Sequence, residues 1–274
     1  MKIKLLMCYH NIYPHIVNDI IEPINVKISE GDNISNKGNY YSELRVLYWA
    51  WKNVQADVIG IFHYRRFLNL KNSITRFYYI GKDFYTKYGL TSNQIEMLMH
   101  QYDVILPQRV PQRIKATTPT VYEYYVKEHY KEDLDLTLDI LAKKYPEMQA
   151  IAQKMIKSGK QSYCANLIIT KKELFDEYAQ WLFSILFEIE KLIKKDVVGR
   201  NPYQQRVFGF LSERLLGVFI EYKKETENIK VCEAPMLFWE SNLMKYLKYL
   251  WRETKRNFLL TIGLGRKEWK IHVE

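Results

Sequence analysis

Apolar residues recur along the chain with two different periods. Short, nearly unbroken apolar runs at Lys2–Tyr9, Asp57–Phe62 and Tyr102–Pro107 predict buried strands, the last closed by its proline. Between the first two lies a polar turn, Glu30–Asn39, and then Leu44, Leu47, Tyr48 and Trp51 fall at helical spacing. This spacing predicts a helix from about Ser42 to Asn53, with Ser42 as its N-cap and Glu43 in its first turn. Further along, residues 120–157 predict two or three amphipathic helices rich in Lys and Glu, and Tyr163–Thr170 a strand. Lys172–Lys194 predicts a long helix, Tyr203–Tyr222 a core helix, Ile229–Glu233 a short strand and Trp239–Asn257 a basic helix. Strand, loop, helix, strand is the order of an α/β sheet. No internal repeat or low-complexity linker interrupts it, and no boundary shows before residue 235.

Composition narrows the class. With 47% hydrophobic and 26% charged residues over 274 positions, the chain has enough apolar surface to bury a core, which excludes a disordered polypeptide. Aromatic residues reach 15%, 22 of them tyrosine, whose flat faces and polar tips suit sugars and bases. Cys8, Cys164 and Cys232 are odd in number and widely spaced, which excludes a paired disulfide framework and fits a reducing cytoplasm. Met1–Leu6 reads as a strand start rather than a signal peptide, and the apolar run near Trp181–Phe187 is too short to span a bilayer. A formal net charge of +10 calls for an anionic partner: nucleic acid, anionic lipid or a phosphorylated substrate.

The densest chemistry is His63-Tyr64-Arg65-Arg66, at the carboxyl end of a predicted buried strand. Ligands of open α/β sheets bind outside such ends. Two arginines and a histidine there supply donors for a diphosphate, Arg with bidentate geometry. A surface salt-bridge cluster is the plainer reading of the same residues.

Longer motifs surround this one. Gly31-Asp32-Asn33-Ile34-Ser35, Ser42-Glu43-Leu44 with Tyr48-Trp49-Ala50-Trp51-Lys52-Asn53, and Gly60 with His63–Arg66 together resemble one family; so do Asn166–Ile169, Trp181–Glu188 and Arg206–Leu215. The family was first catalogued as a domain of unknown function in capsule, exopolysaccharide and O-antigen gene clusters, and its members are regarded as glycosyltransferases, several of them galactofuranosyltransferases. The resemblance runs over about residues 1–225. It implies an α/β fold like the A-type glycosyltransferase core, mostly parallel, with a helical C-terminal extension. It also implies a UDP-sugar donor, UDP-galactofuranose first, and a lipid-linked oligosaccharide acceptor.

In that light, His63, Tyr64, Arg65 and Arg66 are expected to bind the donor, with His10, Asp32 and Asn33 on its nucleoside side. An inverting transferase needs a base for the acceptor hydroxyl. Glu213 is the first choice, a carboxylate in a mostly apolar helix, although an ion pair with Arg214 or Arg206 explains it equally well. Asp32 is the second choice, with a simple turn as its alternative. Asn166, a polar residue in an apparently buried strand, is expected to bind acceptor hydroxyls unless a neighbouring loop satisfies it. A-type enzymes commonly hold Mn²⁺ or Mg²⁺ on an Asp-x-Asp pair, but His63–Arg66 stands in that place and offers no carboxylate. Asp133-Leu134-Asp135 reads better as a solvated helix start, so no metal ligands are assigned and metal-free chemistry is favoured. His129 reads as a surface residue, and Trp49 and Trp51 as core.

In the predicted basic helix, Lys245, Lys248, Arg252, Lys255 and Arg256 share one face and Leu243, Tyr246, Leu247 and Leu250 the other. This pattern suits an anionic membrane interface, and equally a helix packed on its own domain. The expected organisation is a transferase domain at 1–235, its nucleotide-sugar part about 1–110 and its acceptor part about 111–235, followed by a basic extension at 236–274. The expected place is the cytoplasm, peripheral on the inner face of the membrane. A nucleic-acid-binding protein is disfavoured because no recognised motif accompanies the charge. A non-catalytic scaffold of a polysaccharide-assembly complex is the other alternative.

Overall fold

The computed structural model describes residues 1–10, 18–71, 77–78, 84–112, 114, 117–239, 244, 247–248, 251 and 254. The chain opens with β1 (Ile3–Tyr9), β2 (Ile21–Asn25), α1 (Leu44–Asn53), β3 (Val58–His63), β4 (Arg66–Leu68) and β5 (Phe77–Tyr78). α2 (Phe84–Tyr88), α3 (Ser92–Gln101), β6 (Val104–Pro107), β7 (Val110–Pro111), α4 (Val121–Glu128), α5 (Lys131–Lys144) and α6 (Gln149–Ala152) follow. It continues through β8 (Gln161–Ser162), β9 (Ile168–Lys171), α7 (Lys172–Val198), α8 (Val207–Glu227), β10 (Val231–Ala234) and β11 (Met236–Trp239).

The main sheet runs β2-β1-β3-β9-β6-β10, and β4, β11 and β5 continue it from the tip of β3, where His63 pairs with Arg66. Only β9 and β4 run against the other strands of this sheet, so it is mostly parallel, as expected. β7 and β8 form a separate ribbon. Both faces are covered, which is why the strands read as unbroken apolar runs. Leu6, Cys8, Ile59, Ile61, Val104 and Leu106 face a core shared with α1, α5, α7 and α8. Their neighbours Leu5, Met7, Val58, Phe62 and Ile105 face a second core with α2 and α3, because successive strand residues point to opposite faces. β1 lies between β2 and β3, and the chain leaves it first to one side and later to the other. That reversal makes the carboxyl ends of β1 and β3 a topological switch point, the place where open α/β sheets bind ligands.

Several elements differ from their expected limits. α1 starts at Leu44, and Ser42 is not its cap: Ser42 has φ 45° and its hydroxyl donates to the Asn39 carbonyl (3.0 Å). The strand expected from Tyr163 begins only at Ile168, because Ala165 (φ 72°) and Asn166 (φ 49°) are left-handed and turn the chain out of the sheet. α8 runs to Glu227 and ends on left-handed Asn228 (φ 54°), a residue type that tolerates this cap.

β11 carries the sheet past residue 235, with Leu237 fully buried, and β9 and β10 lie in the same sheet as β1 and β3. Of the predicted basic helix, Met244, Leu247, Lys248, Trp251 and Thr254 are helical and exposed; Lys245, Arg252, Lys255, Arg256, Leu243, Tyr246 and Leu250 lie outside the described residues. Among the described residues, no helix is long and apolar enough to cross a membrane.

Candidate active site

Four segments meet at this edge: the approach to α1 (Ser42–Arg45), the β3–β4 hairpin (His63–Arg66), the left-handed turn before β9 (Cys164–Asn166) and the start of α8 (Arg206–Arg214). Glu43 lies at their centre, only 5% exposed. Its Oε1 accepts from Asn166 Nδ2 (2.8 Å) and stands 3.8 Å from His63 Nε2. Asn166 is fully engaged by protein groups: its amide also reaches the Gly209 carbonyl (3.4 Å), and its Oδ1 accepts from the Ser212 hydroxyl (3.0 Å). The left-handed turn is what aims that amide inward at Glu43 instead of along a strand.

A second carboxylate, Glu213, sits beside the first. Its Oε1 accepts from the Ala165 backbone N–H (3.0 Å) and its Oε2 from Arg214 (2.9 Å). Burial pushes its pKa above the ordinary glutamate value; Arg214 opposes the shift, and the charge of Glu43 adds to it. Glu43 itself moves the other way. Burial works against its ionisation, but His63, the Asn166 amide and Arg206 outweigh this and hold it below the usual range. His63 is driven down by burial against the attraction of Glu43, with Arg66 adding to the shift. The corner therefore pairs a carboxylate whose ionised form is favoured, Glu43, with one whose protonated form is favoured by burial, Glu213. His63 Nε2 is buried and has no hydrogen-bond partner among the described residues.

Cations line the outer side. Arg45 donates from Nε to the Ser42 carbonyl and Arg206 from Nε to the Ser42 hydroxyl, both at 3.0 Å. Arg66 acts electrostatically on His63 and Glu213. His10, at the end of β1, is exposed and its pKa is lowered, first by partial desolvation and then by Arg45.

Residues 4–225 match the family described as "Domain of unknown function (DUF4422)". The chain belongs to this family. A solved structure described as the WbbM bifunctional glycosyltransferase in its apo form is similar to it, with a TM-score of 0.80 and 26% identity. The match covers 88% of this chain and 46% of that one, so the chain spans less than half of the WbbM protein. No curated protein matches the sequence.

The whole corner lies within the DUF4422 region, and the structure gathers His10, His63, Arg66, Asn166 and Glu213 there from distant parts of it. Tyr64 is half-buried and Arg65 exposed at the hairpin turn on the same rim. Asp32 and Asn33 are not brought to it. Asp32 is exposed beside the C-terminal end of α1, where its main chain bonds with Asn53 (3.1 and 2.8 Å) and its carboxylate accepts from Tyr48 (3.3 Å). Glu43 is at the opposite end of that ten-residue helix, about 15 Å away by the helical rise. Asn33 forms a local turn, donating to the Gly31 carbonyl and accepting from Ser35. Asn166 meets Glu43 rather than open space.

His129 is not a surface residue: it stacks on Phe210 (4.0 Å between centroids) and contacts Gln204, and burial takes its pKa down to about 4. Trp49 and Trp51 are half-buried against the larger core. Asp133 is buried in a bidentate pair with Arg200, and Asp135 is held by Lys131, Tyr122 and Lys157. Among the described residues no group of three His, Cys, Asp or Glu side chains is arranged so that it could hold a metal ion.

Glu43, Arg45, Arg206 and Ser212 were not among the site residues expected from the sequence. Arg45 left one signal, a cation inside the apolar run Leu44–Leu47.

Proposed function

We propose that this protein is a glycosyltransferase that moves a sugar from a nucleoside diphosphate to an acceptor hydroxyl. The observation that carries the reading is Glu213, a half-buried carboxylate with a raised pKa, beside arginines at the carboxyl edge of a mostly parallel sheet. The likeness to WbbM supports it.

In the proposed reaction, ionised Glu213 takes the proton of the acceptor hydroxyl. The hydroxyl oxygen bonds to the anomeric carbon while the bond from that carbon to the diphosphate breaks, in a single inverting displacement. The departing diphosphate takes the electron pair, and the arginines of the rim, Arg66 among them, balance its charge. Glu43 and Asn166 act as positioning residues: they fix the turn that supplies the Ala165 N–H to Glu213. UDP-galactofuranose is the first donor and a lipid-linked oligosaccharide the first acceptor, following the family resemblance, with surface-polysaccharide synthesis as the setting.

Peripheral membrane binding fits this acceptor. Met244 and Trp251 are 74% and 64% exposed at one helical spacing beyond the sheet, with Leu247 and Lys248 between them.

The test is transfer from UDP-sugars by wild type and Glu213→Gln. A catalytic base predicts a loss of about 100-fold or more in kcat with donor binding kept. Unchanged turnover in the variant would remove Glu213 from the mechanism.

A further inference from the structure

Ser42 does something unusual with two arginines at once. Its carbonyl takes Nε of Arg45 and its hydroxyl takes Nε of Arg206, from residues far apart in sequence. Each guanidinium is thus tethered by its inner nitrogen, which leaves the outer fork, the two Nη groups, for something else. Ser42 holds this position through a left-handed backbone (φ 45°), a conformation disfavoured for a residue with a side chain.

Some other arginines of the described residues contact carboxylates directly. Arg200 grips Asp133 with both Nη groups, Arg214 contacts Glu213 from Nη1, and Arg109 contacts Glu233 from Nε. Among the described residues neither Arg45 nor Arg206 has a carboxylate within ion-pair distance, although Arg45 is only 4% exposed. A cation sunk that deep without a direct ion-pair contact is costly: burial lowers its pKa, and Glu43 opposes this only electrostatically. Arg206 stays exposed at the head of α8, and its charge, like that of Arg45, is felt by His10 at the end of β1. The exposed Lys27 adds to the same field.

Two guanidinium groups tethered to one residue near a sheet's carboxyl edge suit two adjacent phosphoryl groups. The geometry points to Ser42, Arg45 and Arg206 as a clamp for the diphosphate of a nucleotide. This rests on the glycosyltransferase reading for the nucleotide's role, while the anion site stands on its own geometry. Ser42 is the positioning residue, and the two arginines are the binding groups.

The experiment is calorimetric titration of the full chain with inorganic pyrophosphate, orthophosphate and UDP in EDTA. It compares wild type, Arg206→Ala, Arg206→Lys and Lys224→Ala, with thermal melts to confirm folding. Lys224→Ala removes an exposed cation near the far end of α8 and serves as the charge control. The clamp predicts pyrophosphate and UDP binding to wild type, a loss of at least tenfold in Arg206→Ala, partial recovery in Arg206→Lys, and no change in Lys224→Ala.

Equal affinity of Arg206→Ala and wild type would overturn it. So would an equal loss in Lys224→Ala, orthophosphate binding as tight as pyrophosphate, or no binding of pyrophosphate at all. Sugar transfer assayed on the same proteins separates the two claims. Arg206-dependent pyrophosphate binding by a wild type that transfers nothing keeps the clamp and removes the transferase reading. Transfer undiminished in Arg206→Ala keeps the transferase reading and overturns the clamp.

Discussion

Glu43 and Glu213 share one corner, yet their surroundings send their pKa values in opposite directions. Burial works against ionisation in both, and the difference lies in what each meets: His63 and an amide donor for Glu43, a neighbouring carboxylate for Glu213. Because a base works only when deprotonated, kcat/KM should rise with pH through a carboxylate limb lying above the ordinary glutamate pKa, and Glu213→Gln should abolish that limb. Asn166→Ala should destabilise the fold by about 1–3 kcal/mol, since it leaves the buried Glu43 carboxylate without its amide donor; denaturant melts check this. His129 supplies a further pH signature. Its folded pKa lies near 4 against an unfolded value of 6.5, so between those values the unfolded chain binds more protons. His129 should therefore cost stability as pH falls through this window, and its imidazole NMR shift should titrate near 4. Glu213 was legible in the sequence because a carboxylate in an apolar helix needs a reason. Glu43 was not, since a glutamate at a helix start reads as an ordinary first-turn acid until the turn at Ala165–Asn166 is seen to close over it.

At the scale of elements, β1, β3 and β6 were legible because strands buried on both faces print their burial as continuous apolar runs. β9 was only partly so: Tyr163–Leu167 is as apolar as a strand, but two left-handed residues remove it from the sheet, and residue type alone does not announce left-handed φ at an alanine. Gly60 shows how tightly the centre is closed. A Cβ there would stand 2.6 Å from Leu5 Cδ2 and 3.2 Å from the Ile168 carbonyl oxygen. Gly60→Ala should lower stability by about 1–3 kcal/mol, since overpacking forces β1 or β9 to shift; a thermal melt reads it directly. The misplaced Ser42 has a related cause. Serine before an apolar helix signals an N-cap, and here its hydroxyl and carbonyl are used by Asn39, Arg45 and Arg206 instead.

For the whole molecule, the sequence conveyed the fold class, because strands and helices alternate along the chain in the order of an α/β sheet. It did not convey which loops converge at the carboxyl edge. Asp32 and Asn33 stand in as characteristic a motif as His63–Arg66, but α1 carries them to the wrong end of the sheet. The exposed Met244, Leu247 and Trp251 predict association at the molecular scale. Cosedimentation with vesicles should be strong with anionic phospholipid, weak with neutral lipid, and reduced by salt.

The central claim is sugar transfer driven by Glu213. The most direct measurement incubates the purified protein with a panel of UDP-sugars, UDP-galactofuranose first, and a lipid-linked oligosaccharide, and weighs the product by mass spectrometry. The account predicts an acceptor heavier by one sugar residue with wild type, and essentially none with a folded Glu213→Gln that still binds UDP. Equal product from both proteins, or no transfer and no UDP binding by wild type, would contradict it.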